Sequence, residues 1–300
     1  MRLTTFETAE RVRPGAITGD EVADLSSALD AANATLLDIL EAGAEGRRAV
    51  EALLESGAPQ YGLTEVRLHP PVRPRKFFAI GLNYADHVAE SGMQSPTNLT
   101  VFYKAATCAT GPYDPIEMPA VSTLLDYEGE LGIVIGERCR HVTAENAPAV
   151  IAGYTIVNDV SVRDWQVMTP QWSLGKSFDT HGPIGPCIAT ADDLGDPHAL
   201  DLRTYVNGEL RQSSNTSNLI FSCFEIVEIL SQVCTLEPGD VIATGTPSGV
   251  AAGREGQPWL QVGDRIRVEI DGIGAIENEV VAEVVPDGFS VDPEWVGGRS

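Results

Sequence analysis

Short apolar runs punctuated by glycine and proline dominate the chain, a pattern that predicts many short strands. Segments 76–80, 130–135, 151–157, 202–206, 240–243 and 265–270 read this way. Apolar residues spaced by three and four predict helices over 20–40, 47–55, 84–91 and 224–232. Gly57 and Pro59 would end the second of these. Residues 69–74 read His-Pro-Pro-Val-Arg-Pro, a stiff extended linker, since proline fixes its own φ and restricts the residue before it. The expected organisation is a small N-terminal domain with its Pro-rich linker over 1–70, a larger domain over 71–285 and a tail over 286–300. No internal repeat or low-complexity segment interrupts it.

One strand carries an anomaly. Residues 126–135 read Asp-Tyr-Glu-Gly-Glu-Leu-Gly-Ile-Val-Ile. Side chains alternate along a strand, so Glu128 and Glu130 share one face, and Leu131, Ile133 and Ile135 share the other. Two like charges in a partly buried place repel unless a cation neutralises them. The apolar run 151–157 ends in Asn158-Asp159, which can deliver a third carboxylate from a second strand end. Such an all-oxygen set suits Mg2+ or Mn2+, with Ca2+ able to stand in, rather than zinc. The plain alternative is a solvated acidic strand edge.

Charge narrows the partners. Twenty Lys and Arg stand against 43 Asp and Glu, a formal charge of −23. That surface repels nucleic acid and anionic membrane, so neither is an expected partner. An anionic substrate would need local cations, and Arg163 and Lys176 are candidates. The N-terminus lacks the apolar core of a signal peptide, and no apolar run reaches membrane-spanning length. The five cysteines are widely spaced without a Cys-x-x-Cys, as reduced thiols of a cytoplasmic protein would be. Two competing motifs fail. A P-loop ending at Gly175-Lys176-Ser177 would need glycine at position 170, where Pro170 stands. Gly245-Thr-Pro-Ser248-Gly249 has the wrong spacing for a nucleophile elbow.

Further motifs surround the acidic strand. Upstream is Gly81-Leu-Asn-Tyr84-Ala-Asp-His87-Val-Ala-Glu90. Downstream come Asp159-Val-Ser-Val-Arg163-Asp-Trp-Gln166, Gly175-Lys176-Ser-Phe-Asp179, Val206-Asn-Gly-Glu-Leu-Arg211 and Gly239-Asp240 through Thr246-Pro-Ser-Gly249. In this order they resemble the fumarylacetoacetate hydrolase family, from about Arg75 to about Val284. The nearest likeness is to its acylpyruvase and oxaloacetate decarboxylase branch and to members acting in aromatic-ring catabolism. The resemblance implies an α+β, β-rich fold, a mixed β-sandwich roll with a small N-terminal α+β domain, and a homodimer.

His87 and Glu90 lie three apart on a predicted helix and share a face, so the carboxylate can orient the imidazole as a general base. A surface pair is the alternative reading. The resemblance implies that this pair activates water, that Glu128, Glu130 and Asp159 hold the metal, and that Lys176 stabilises charge on a substrate oxygen. It also implies substrate contacts from Arg163, Gln166, Thr246 and Tyr84; an exposed ion pair, a structural turn and plain core are their respective alternatives. Many relatives have Lys-Pro where this chain has Lys104-Ala105, which bears on the local loop. The expected reaction is metal-dependent hydrolysis of a C–C bond in acylpyruvate-type 1,3-dicarbonyl acids, with a small keto acid as the partner. Oxaloacetate decarboxylation and 2-hydroxyhepta-2,4-diene-1,7-dioate isomerisation need the same electron sink and remain open. A catalytically silent binding relative is the non-enzyme alternative, although it would have no chemical use for a costly acidic cluster.

Overall fold

The computed structural model describes residues 1–30, 33–92 and 94–288. Of the tail expected over 286–300, residues 289–300 lie outside the described part. Strands dominate, as the short apolar runs require. The spine of a 12-stranded sheet runs Gln60–Gly62, Glu21–Asp24, Val12–Thr18, Arg2–Glu7, Gly182–Thr190, Ile151–Asn158, Gly129–Ile135, Val241–Ala243, Phe77–Gly81 and Thr100–Lys104. A five-stranded sheet orders Glu209–Asn215, Asp201–Val206, Arg265–Ile270, Gly274–Ala282 and Ile116–Met118. Neighbours are mostly antiparallel, but Val241–Ala243 runs parallel to Phe77–Gly81. The result is the β-rich α+β fold expected.

The two faces of Gly129–Ile135 enter different cores. Leu131, Ile133 and Ile135 pack with Leu202, Ile266 and Val268 of the five-stranded sheet. Val134 lies on the other side with Leu36, Ile39, Leu40 and Val50 of the helices Leu36–Glu41 and Gly43–Ser56. The strand is therefore buried on both sides, where burial of each large aliphatic side chain contributes about 1.5–3 kcal/mol. Carboxylates at its start sit in a dry interior, not at a solvated edge.

The N-terminal segment departs from the sequence reading. The helix expected over 20–40 is a strand at Glu21–Asp24, paired to Val12–Thr18 and Gln60–Gly62. Helix begins only at Leu36, where the Thr35 hydroxyl accepts from the Asp38 amide and the Asp38 carboxylate accepts from the Thr35 amide. Val22 and Leu25 mimic helical spacing, but they enter different clusters, Val22 with Phe6 and Leu68 and Leu25 with Leu36 and Ile39. Arg2–Glu7 pairs with Gly182–Thr190, so residues 1–69 extend the main sheet laterally. Part of the expected linker is itself strand, since Arg67–His69 pairs with Arg2–Glu7. Among the described residues no helix is long and apolar enough to cross a membrane, and all five cysteines are free.

Candidate metal centre and active site

Strand register assembles the acidic cluster. Gly129 stands opposite Asn158, so Glu128 and Asp159 are the next cross-strand neighbours. The Asp159 amide donates to the Glu128 carbonyl at 2.8 Å, and the Asn158 side-chain oxygen accepts from the Glu128 amide at 3.1 Å. Glu130 lies two residues along on the same face. One carboxylate oxygen from each of Glu128, Glu130 and Asp159 lies within 4.8 Å of the others, and all three residues are buried. The donor set is hard and all-oxygen, which fits Mg2+, Mn2+ or Ca2+.

Electrostatics show where positive charge is short. Lys176 Nζ donates to Glu128 Oε2 at 2.7 Å and to Asp159 Oδ2 at 2.8 Å. Arg163 Nη1 lies 2.7 Å from Glu128 Oε1, and its Nε donates to Asp126 Oδ2 at 2.8 Å. Burial works to raise the Glu128 pKa, yet Lys176 and Arg163 pull it down to about 2. Among the described residues Glu130 forms no ion pair, and Lys176 lowers its pKa only in part. Its Oε2 accepts from the Gly245 amide at 2.7 Å. Burial, then Asp159 and Glu128, push its carboxyl well above the ordinary range. A divalent cation among the three carboxylates would remove that penalty, so the residues present fit a metal.

The helix Ala85–Ser91 brings the acid–base pair. His87 Nδ1 lies 3.4 Å from the Glu90 carboxylate. Glu90 in turn accepts from the Gly249 amide at 3.1 and 3.2 Å, which ties the helix to the loop after Val241–Ala243. Gly245, at φ +106°, starts that loop; a Cβ there would meet Asn83 Cβ at 2.8 Å. His87, Glu90, Glu128, Arg163, Gln166, Lys176 and Thr246 all line one cleft of about 700 Å³. Glu130 and Asp159 are buried next to Glu128.

Tyr84 is not part of that wall. It is fully buried at the start of the helix, as the core alternative has it, and among the described residues its hydroxyl has no hydrogen-bond partner. The Thr246 hydroxyl donates to the Gly129 carbonyl at 3.0 Å and accepts from Gln212 at 2.8 Å, a structural role beside its place in the cleft. Two site residues escaped the sequence reading. Asp126 anchors Arg163 and accepts from the Ala251 and Ala252 amides at 2.7 and 3.0 Å. Its signal was present, since 126, 128 and 130 share one alternation. Lys104, with its side chain wholly buried, donates to Asp159 Oδ1 at 2.7 Å and to the Lys176 carbonyl. Burial works against its charge, and Asp159 more than restores it.

A buried oxygen triad beside a cleft lined by a histidine–carboxylate pair has the parts to hold a cation and move a proton, as an enzyme site does. Residues 76–281 match the fumarylacetoacetate (FAA) hydrolase C-terminal family. A mitochondrial oxaloacetate tautomerase of Bos taurus is 40% identical over 288 residues, spanning 94% of this chain and 92% of that protein. The structure of fumarylacetoacetate hydrolase from Exiguobacterium antarcticum is similar at TM-score 0.85 and 40% identity, covering 94% of this chain and 100% of that one. Maleylpyruvate hydrolase from Sphingobium sp. SYK-6, solved with manganese(II) and pyruvate, is similar at TM-score 0.79 and 35% identity, covering 94% and 99%. The chain belongs to the fumarylacetoacetate hydrolase family.

Proposed function

We propose that this enzyme acts on 2,4-dicarbonyl acids and cleaves acylpyruvates hydrolytically between C3 and C4. The observation that carries the reading is that His87, oriented by Glu90, opens on the same cleft as Glu128. A divalent cation held by Glu128, Glu130 and Asp159 would supply Lewis-acid polarisation of the 2-keto group and neutralise its carboxylate. The chain's own residues supply the proton traffic. With Nδ1–H donating to Glu90, His87 keeps Nε2 free to take a proton from water. The water oxygen adds at C4, and the C3–C4 bond breaks with its electron pair moving to C3. Lys176 and Arg163, both paired to Glu128, keep positive charge at the inner end of the cleft, beside the substrate's head group. The proton returns from His87 to C3, so acylpyruvate and water give pyruvate and a carboxylic acid.

A second reaction is favoured by the relative from Bos taurus, named as an oxaloacetate tautomerase. Here His87 would only carry a proton between C3 and the 2-oxygen, with no water consumed. One experiment separates the two. Protein loaded with Mn2+ is given acetylpyruvate or oxaloacetate in D2O; NMR follows C3 deuteration and product formation. Hydrolysis of acetylpyruvate is expected, with His87→Ala lowering its rate by about 10²–10⁴-fold. Excess chelator should suppress the wild type reversibly, and full activity in chelator would remove the metal from the reading. Deuterium exchange without cleavage would transfer the assignment to tautomerisation.

A further inference from the structure

Beyond the acidic floor, one wall of the cleft is aromatic and fixed. The Phe102 ring lies 5.0 Å from Lys176 Nζ, so it borders the metal centre directly. Trp172 packs on Phe102 with ring centroids 5.6 Å apart at 59°. The indole also lies across the end of strand Phe77–Gly81. A Cβ on Gly81 would meet Trp172 Cζ3 at 2.3 Å, so only glycine leaves that space to the ring. Phe102 and Trp172 both line the cleft and touch each other, so they present one apolar surface beside Lys176.

The charges of the cleft are arranged against a second anion. Its cations are committed at the inner end: Lys176 to Glu128 and Asp159, and Arg163 to Asp126, Glu128 and the Gln166 side-chain oxygen. Two further carboxylates, Glu90 and Asp164, line the cleft outside the buried cluster. A substrate whose head sits at the acidic floor would bring its far end past rings and carboxylates.

We propose that Phe102 and Trp172 form an acyl-tail subsite, and that the substrate class is acylpyruvates with an uncharged, apolar or aromatic acyl group. Acids that end in a second carboxylate are discriminated against. This inference rests on the acylpyruvate reading of the site and names its substrate class. Each methylene buried on the rings is worth about fourfold in affinity.

The test separates binding from turnover. Pyruvate, 2-oxohexanoate and 2-oxoglutarate share a head group and differ in the tail. Their affinities for Mn2+-loaded protein are measured by calorimetry, with wild type, Trp172→Ala and Trp172→Leu. Wild type is expected to bind 2-oxohexanoate at least tenfold more tightly than 2-oxoglutarate. Trp172→Ala should lose most of the gain from pyruvate to 2-oxohexanoate while pyruvate affinity stays within about twofold, and Trp172→Leu should restore part of it. Tighter binding of 2-oxoglutarate, or a tail gain untouched in both variants, overturns the subsite. In parallel, kcat/KM is compared for acetylpyruvate, hexanoylpyruvate and fumarylpyruvate. Cleavage that favours fumarylpyruvate also overturns it. The expected binding order without any cleavage upholds the subsite and sinks the hydrolase reading instead.

Discussion

Lys104 stays charged in a dry interior because Asp159 Oδ1 and the Lys176 carbonyl accept its hydrogen bonds. Removing one partner of a buried ion pair costs about 3–5 kcal/mol, chiefly by stranding the other. Lys104→Met is therefore expected to lower the urea midpoint of metal-free protein by a corresponding amount. Mn2+ should raise the melting temperature more in the variant than in the wild type, since a cation then replaces a lost cation. Unchanged stability would show that the pair is energetically neutral. His181 gives a pH signature elsewhere in the core. Its Nε2–H donates to the Glu117 carbonyl at 2.8 Å, Nδ1 has no partner, and burial pushes its pKa down to about 3. The folded state refuses a proton that the unfolded chain accepts near 6.5. Stability from this residue is thus complete above about pH 6.5 and is lost as pH falls toward 3, by at most about 1.4 kcal/mol per pH unit. His181→Gln should flatten that slope in urea titrations from pH 7 to 4; an identical slope would mean other groups set it.

At the scale of elements, the loop after Val241–Ala243 turns on one backbone angle. Gly245 adopts φ +106° and aims its amide at Glu130. Alanine there would be strained and would press on Asn83, a penalty of about 1–3 kcal/mol. Gly245→Ala is expected to melt earlier and to bind Mn2+ more weakly by calorimetry; wild-type values in both would show that the loop relaxes freely. The strands around this site were legible because a two-residue alternation is a local signal. Glu128 and Glu130 declared a shared face for the same reason, and the helix Ala85–Ser91 followed from its apolar spacing. The strand Glu21–Asp24 was not legible, since the three-residue spacing of Val22 and Leu25 reads as helix and only the pairing with Val12–Thr18 and Gln60–Gly62 makes it a strand. Lys104 was equally hidden. Its partner lies 55 residues away in sequence, and only the order of strands brings Thr100–Lys104 to the metal centre.

The whole molecule depends on its first strand. Leu3 pairs with Ile188, and the helices behind it cover the sheet face that carries Val134, Val157 and Ile184. A chain beginning near Pro71 would keep every residue of the acidic centre. It would also bare that apolar face and the unpaired edge of Gly182–Thr190, an invitation to aggregate. Such a chain is expected to elute as oligomers or aggregates and to unfold without a sharp transition. A monodisperse product that melts like the full chain would show that residues 1–70 are dispensable for folding.

Sliding Gly129–Ile135 by one residue against Ile151–Asn158 would turn Glu128 and Glu130 toward the side now held by Leu131, Ile133 and Ile135. Three oxygens would no longer converge, and a divalent ion would find no seat. Only the correctly threaded chain could load, so a bound ion would act as a proofreader of the pairing that seats it. The loops above the ladder escape that constraint. The mouth of the cleft can change its clientele while the seat stays where the backbone hydrogen bonds put it.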